Sequence, residues 1–178
     1  YGVGLVPAAS VAAGITVEER GDGVLHQTVL TLAAVSVTMT DATTAGCHGS
    51  IQLYDFPQCL LVHVASNLSL TLTAGPGGVA DGAAVVAAVG TVTTATDNAA
   101  LTTTEADLVP STAFTLSSGT VLARNVSTTA LGAIVFDGTA TAKDAWLNIA
   151  VPDADSSAND TISVTGTVIL TWINGGDV

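Results

Sequence analysis

Apolar and polar residues alternate with a period of two along much of this chain. Val35, Val37 and Met39 interleave with Ser36, Thr38 and Thr40, and Leu68, Leu70 and Leu72 with Ser69, Thr71 and Thr73. Ala145, Leu147, Ile149 and Val151 interleave with Trp146, Asn148 and Ala150. The longest run sets Ile162, Val164, Gly166, Val168, Leu170 and Trp172 against Ser163, Thr165, Thr167 and Thr171. Successive side chains of a strand point to opposite faces, so each run predicts a strand with one row turned inward and one outward. Thr dominates the outward rows, and its β-branched side chain suits a pleated, half-buried surface. Near Leu32–Val35 the apolar phase switches from even to odd positions, which predicts a bulge or a bend between two sheets.

Turn-forming clusters separate these runs: Gly21-Asp22-Gly23, Gly75-Pro76-Gly77-Gly78, Ser117-Ser118-Gly119, Asp137-Gly138 and Asp153–Asp160. Short strands spaced in this way predict an all-β fold, an antiparallel β-sandwich of jelly-roll type with at most one or two short helical turns. Gly82–Val89, rich in Ala, is a candidate short helix, and Thr103–Leu108 reads as a capped helical turn stopped by Pro110. The expected organisation is a single domain over residues 1–178, with residues 1–17 as an arm that pairs with a neighbour.

Composition narrows what such a fold can do. Arg20, Arg124 and Lys143 are the only Lys and Arg residues against fifteen Asp and Glu, a formal charge of -12. Nucleic-acid binding needs cations to neutralise phosphates, so this chain is not expected to bind it. No apolar run reaches the ~18 residues of a spanning helix, so no membrane partner is expected. Charged residues make up 10% of the chain and apolar ones 48%, which argues against disorder. No basic and apolar leader is visible at the start of the sequence.

Chemistry-bearing residues are few. His26, His48 and His63 are the only histidines, and no second Cys or His lies near Cys47-His48 at a metal-ligand spacing. His63, within Leu60–Ala65, reads as a hydrogen-bonded core or interface histidine. Cys47 and Cys59 flank a predicted strand; a disulfide and two reduced thiols both fit that placement. Asp153, Asp155 and Asp160 share one loop with Asn159, the oxygen-rich kind of segment that calcium favours. That loop departs from the helix-loop-helix calcium signature, with Val164 where a bidentate Glu is required, and Asx residues are ordinary turn formers. Glu105 and Asp107 offer two acids of the kind glycoside cleavage uses, but acids this close in a helical turn fit a solvated, capped start better. No nucleophile with an attendant base is recognisable, so no enzymatic activity and no cofactor are expected.

Several phrases together carry a resemblance. They are Asp41-Ala-Thr-Thr-Ala-Gly46, Tyr54-Asp55-Phe56-Pro57, Ala74-Gly75-Pro76-Gly77-Gly78-Val79-Ala80-Asp81, Thr104–Thr112, Phe136–Ala145 and Asp160–Asn174. In these the chain resembles a family of small virion proteins encoded by marine and aquatic tailed bacteriophages. The resemblance implies a head decoration or cement protein: a β-sandwich, often a homotrimer, seated on the outer face of the capsid against the major capsid protein. Tail or head-fibre components are the neighbouring reading. A secreted calcium-dependent adhesion or carbohydrate-binding module is the rival from another class. Tyr1, Leu5, Val6, Tyr54 and Phe56 are the candidate anchors for subunit or shell contacts, with core packing the alternative for Tyr54 and Phe56. A partner so short of cations is expected to dock through apolar and backbone contacts, or through acids meeting basic shell residues.

Overall fold

The computed structural model describes residues 12–42, 46–94, 100–126 and 135–176. Ten strands follow in chain order: β1 (Ile15–Asp22), β2 (Leu25–Asp41), β3 (Cys47–Asp55), β4 (Leu60–Ala74), β5 (Ala84–Gly90), β6 (Val109–Thr115), β7 (Thr120–Val126), β8 (Val135–Asp137), β9 (Asp144–Val151) and β10 (Asp160–Asn174). All described pairings are antiparallel, in the order β6-β5-β9-β3-β2-β10-β4-β7, with β1 beside β2 and β8 beside β4. The sheet curls over on itself in a sandwich-like, half-barrel form, so the all-β expectation holds.

It divides naturally into two leaves. The A leaf contains β1, β2, β10, β4, β7 and β8; the B leaf contains β3, β9, β5 and β6. Strand β2 joins them, because its last residues, Thr40 and Asp41, leave the A leaf to pair with His48 and Cys47 of β3. At the other margin the Ser117 N–H donates to the Leu72 carbonyl at 2.8 Å, tying the β6–β7 turn to β4. The core between the leaves is continuous, from Leu30, Val37 and Leu70 on one side to Leu53, Val89, Phe114 and Ile149 on the other.

The alternating runs turn as their pattern requires. Ile162, Val164, Val168, Leu170 and Trp172 are buried, while Thr161 and Thr165 are exposed. The phase switch in β2 is a bulge: Val164 pairs with Val35 and Gly166 with Leu32, leaving Ala33 and Ala34 opposite Thr165 alone. Ala34 takes a left-handed φ of 53°, and its N–H donates to Thr165 Oγ1 at 3.2 Å. Gly166 sits where β10 meets the same bulge, at φ 142°, and a Cβ there would stand 2.0 Å from the Ser69 carbonyl oxygen. Only glycine fits that close approach.

Two expectations are corrected. Residues 84–90 form β5, not a helix. Val85, Ala87 and Val89 face the core while Ala88 is buried on the opposite side, so tertiary burial on both faces overrides the helical preference of Ala. Ile15–Val17 belong to β1 and pair with Leu30–Leu32 of the same chain, so they are not part of an arm reaching a neighbour. Residues 1–11 lie outside the described residues. The expected helical turn is present as a single 3-10 turn, Thr103–Glu105, with the Thr102 N–H donating to Glu105 Oε2 at 3.0 Å.

Candidate binding face

The candidate anchors Tyr1, Leu5 and Val6 lie outside the described residues; the other side chains proposed from sequence occupy four places. Tyr54 and Phe56 are core residues, 1% and 2% exposed, and cannot anchor a neighbouring subunit. Their rings meet edge to face at 5.0 Å, and Phe56 meets Trp172 in the same way at 5.3 Å. His26 stacks on the other face of this group, 4.4 Å from Trp172 at 15°. A carbonyl only accepts, so His26 Nε2 carries the proton in its 3.2 Å contact with the Gly23 carbonyl. Trp172 Nε1 donates to Thr28 Oγ1 at 3.0 Å, and that hydroxyl donates to Glu19 Oε1 at 2.7 Å. Burial, with Glu19 beside it, pushes the Tyr54 hydroxyl well above the usual phenol range. His63 is buried and bonded to Ser66 Oγ at 2.9 Å, and burial lowers its pKa. These residues close one end of the sandwich and expose no reactive group.

The Asp153–Asp160 segment is a packed turn. Asp160 Oδ1 accepts from the Gly77 and Thr161 N–H groups at 2.9 and 2.7 Å, and Oδ2 from the Val79 N–H at 3.0 Å. The carboxylate thus satisfies the backbone of the Gly75–Gly78 turn instead of facing a cation. A Cβ on Gly77 would stand 2.5 Å from Asp160 Oδ1, so a side chain there would push the carboxylate from its place. Asp153 and Asp155 sit in a 3-10 turn that leads into this contact. No grouping of three His, Cys, Asp or Glu able to hold a metal occurs among the described residues.

Cys47 and Cys59 are both buried, and no disulfide joins them. Strand β3 carries the chain about 26 Å from Cys47, and the four residues Phe56–Cys59 can return at most about 14 Å of that. The remaining separation exceeds the Cα spacing a disulfide tolerates, about 7 Å at most. Burial also raises the pKa of the Cys47 thiol, which keeps it protonated and unreactive.

Glu105 and Asp107 belong to a cover laid over the outside of the B leaf. Asn148 projects outward from β9 yet is fully buried. Its Nδ2 donates to the Val92 and Glu105 carbonyls at 2.9 and 2.8 Å. Its Oδ1 accepts from Ser50 Oγ at 2.7 Å and from the Thr94 N–H at 3.0 Å. Asp107 holds the same cover by accepting from the Thr91 N–H and Oγ1 at 2.8 and 2.6 Å; burial raises its pKa. Leu101 packs beneath on Ala88 and Ala150. Gly90 lets the cover approach, since a Cβ there would stand 2.3 Å from the Thr104 carbonyl oxygen. Asn148 and Ala150, read from sequence as solvent-facing, are therefore interior.

The outside of the A leaf has no such cover from the described residues. Its outward residues on β2, β10, β4 and β7, from Thr31 and Ser36 through Thr165, Thr167, Ser69 and Thr71 to Leu122 and Arg124, are all exposed or half-buried. Here Thr71 Oγ1 and Thr120 Oγ1 meet at 2.9 Å, and Arg20 is tied to Glu18 at 2.9 Å on the outermost strand. This broad face, not any cluster of titratable groups, is the candidate functional surface. No protein-family model matches this chain, and no curated protein matches it.

Proposed function

We propose that this chain is a non-enzymatic structural protein of a virion, a decoration or cement protein seated on the outer surface of a phage head as a homotrimer. One observation carries the reading beyond the sequence resemblance: the A leaf offers a wide, regular outer face, while the chain's own cover is spent on the B leaf. A protein that coats a shell needs such a face more than it needs a cleft. The buried polar side chains serve the fold itself, Asn148 and Asp160 holding loops and Thr28 bridging Trp172 to Glu19. The net charge of -12 favours solubility and opposes indiscriminate association. Attachment in many copies supplies avidity that one modest contact lacks.

Native mass, a calcium titration and co-sedimentation with heads lacking this protein test the reading together. A calcium-indifferent trimer that coats heads supports it. A calcium-stabilised monomer that binds glycans instead contradicts it.

A further inference from the structure

The outer face of the A leaf is divided chemically. Toward the β1–β2 turn, Leu25 pairs with Ile173, Ile173 with Val62, and Val62 with Val135. Direct cross-strand partners share a face, so these four residues form one apolar row across β2, β10, β4 and β8. The row turns outward, because the adjacent His26, Trp172, Leu61 and His63 are buried. Leu25 is 51% and Val135 39% exposed, and Val24 in the turn is 60% exposed. Four residues along β2, Val29 pairs with Ile169, an apolar pair separated from this row by Gln27 and Thr171 and flanked by Glu18 and Asn67. Beyond it the same face becomes polar: Thr31 pairs with Thr167, Thr167 with Ser69, and Thr165 with Thr71.

We infer that this apolar end is the surface through which the protein docks on the shell, and that its partner is a protein surface apolar at the centre with Lys or Arg at its rim. The inference rests on the decoration reading and specifies its contact. Two arguments select the occupant. Four strands about 4.8 Å apart, covered over about two residues of about 3.3 Å each, give an apolar row of about 130 Å². A stable pairwise interface uses about 800 Å² per partner, so this patch holds only when many copies bind a repeating array. Charge then selects against a second copy. Two copies of a chain of -12 gain too little from a patch of this size to pair through it, whereas a basic rim meets exposed Asp137 favourably.

The test is co-sedimentation of purified protein with heads lacking it, comparing wild type, the double variant Leu25→Asp/Val135→Asp, and Thr31→Asp. All three positions are exposed, and an unchanged thermal midpoint confirms folding. The double variant is expected to bind at least about ten-fold more weakly, with Thr31→Asp within about two-fold of wild type. Wild-type binding by the double variant, or an equal loss in Thr31→Asp, overturns the docking surface while leaving decoration intact. Failure of the wild type to bind heads overturns decoration and the docking surface together.

Discussion

The two outer faces of this sandwich start from similar strands and end in opposite states. On the B leaf, β9 and β5 turn Asn148, Ala150 and Ala88 outward, and all three are buried under residues 91–94 and 100–108. On the A leaf, β2, β10 and β4 turn Thr, Ser, Val and Ile outward, and the described chain leaves them open. The contrast shows how side-chain size and hydrogen-bonding capacity decide where a loop can settle. Small residues let backbone lie close on the B leaf, and one Asn makes four hydrogen bonds, three of them to the covering backbone. Thr and β-branched rows offer neither the space nor the concentrated donors, so the A leaf remains a surface.

The largest expected effect comes from removing the Asn148 clamp. Asn148→Ala removes the donor to the Val92 and Glu105 carbonyls and one of the two acceptors of the Thr94 N–H, which keeps Ser50 Oγ at 2.9 Å, and should cost about 3 kcal/mol in chemical denaturation. Amides of residues 100–108 should lose hydrogen-exchange protection first. A change below about 0.5 kcal/mol would show that the cover is held by something else.

Gly166→Ala tests the A leaf at its most constrained point. The added Cβ collides with the Ser69 carbonyl at a left-handed φ, and about 2 kcal/mol of destabilisation is expected, larger than for an ordinary surface substitution. A neutral effect would mean that β10 and β4 can separate locally without cost.

Acidity should act on the two leaves in different ranges. Burial lowers the His63 pKa, so the unfolded chain binds the proton more readily and stability falls as pH drops below about 6.5. His63→Gln should flatten the pH dependence between about 7 and 5. Asp107 has the opposite sense: its raised pKa favours the protonated folded form, so its contribution declines as pH rises from about 4 toward the raised value. Asp107→Asn should remove that decline without altering the imidazole range. Thermal midpoints across pH for the two variants would break the assignment if either flattened the other's window.

The smallest effect belongs to the open face. Thr167→Ala should change stability by less than about 0.5 kcal/mol, because its outward side chain is half-buried and a neighbouring Thr row persists. A cost comparable with that of Asn148→Ala would erase the distinction between the leaves.

Much of this architecture was legible in the sequence where alternation was strict. The inward rows of β2, β4, β9 and β10, the turns between them and the bulge after Leu32 all follow from period and phase. Residues 84–90 were not legible, because a strand buried on both faces shows no alternation and its Ala content mimics a helix. The burial of Asn148 was hidden for a related reason: its row is polar, and only the long-range arrival of Val92, Thr94 and Glu105 makes it interior. Tyr54 and Phe56 are core because their rings complete the Trp172 cluster, a contact that no local pattern announces. The apolar row on the A leaf was equally invisible, since its members come from β2, β4, β8 and β10 and meet only through register.

The most direct test of the account is a cryo-electron microscopy map of the particle that carries this protein. The account predicts density on the outer surface of the head, with the Leu25–Ile173–Val62–Val135 row toward the shell and the covered B leaf away from it. Density off the head, or a molecule seated with its B leaf against the shell, would contradict it.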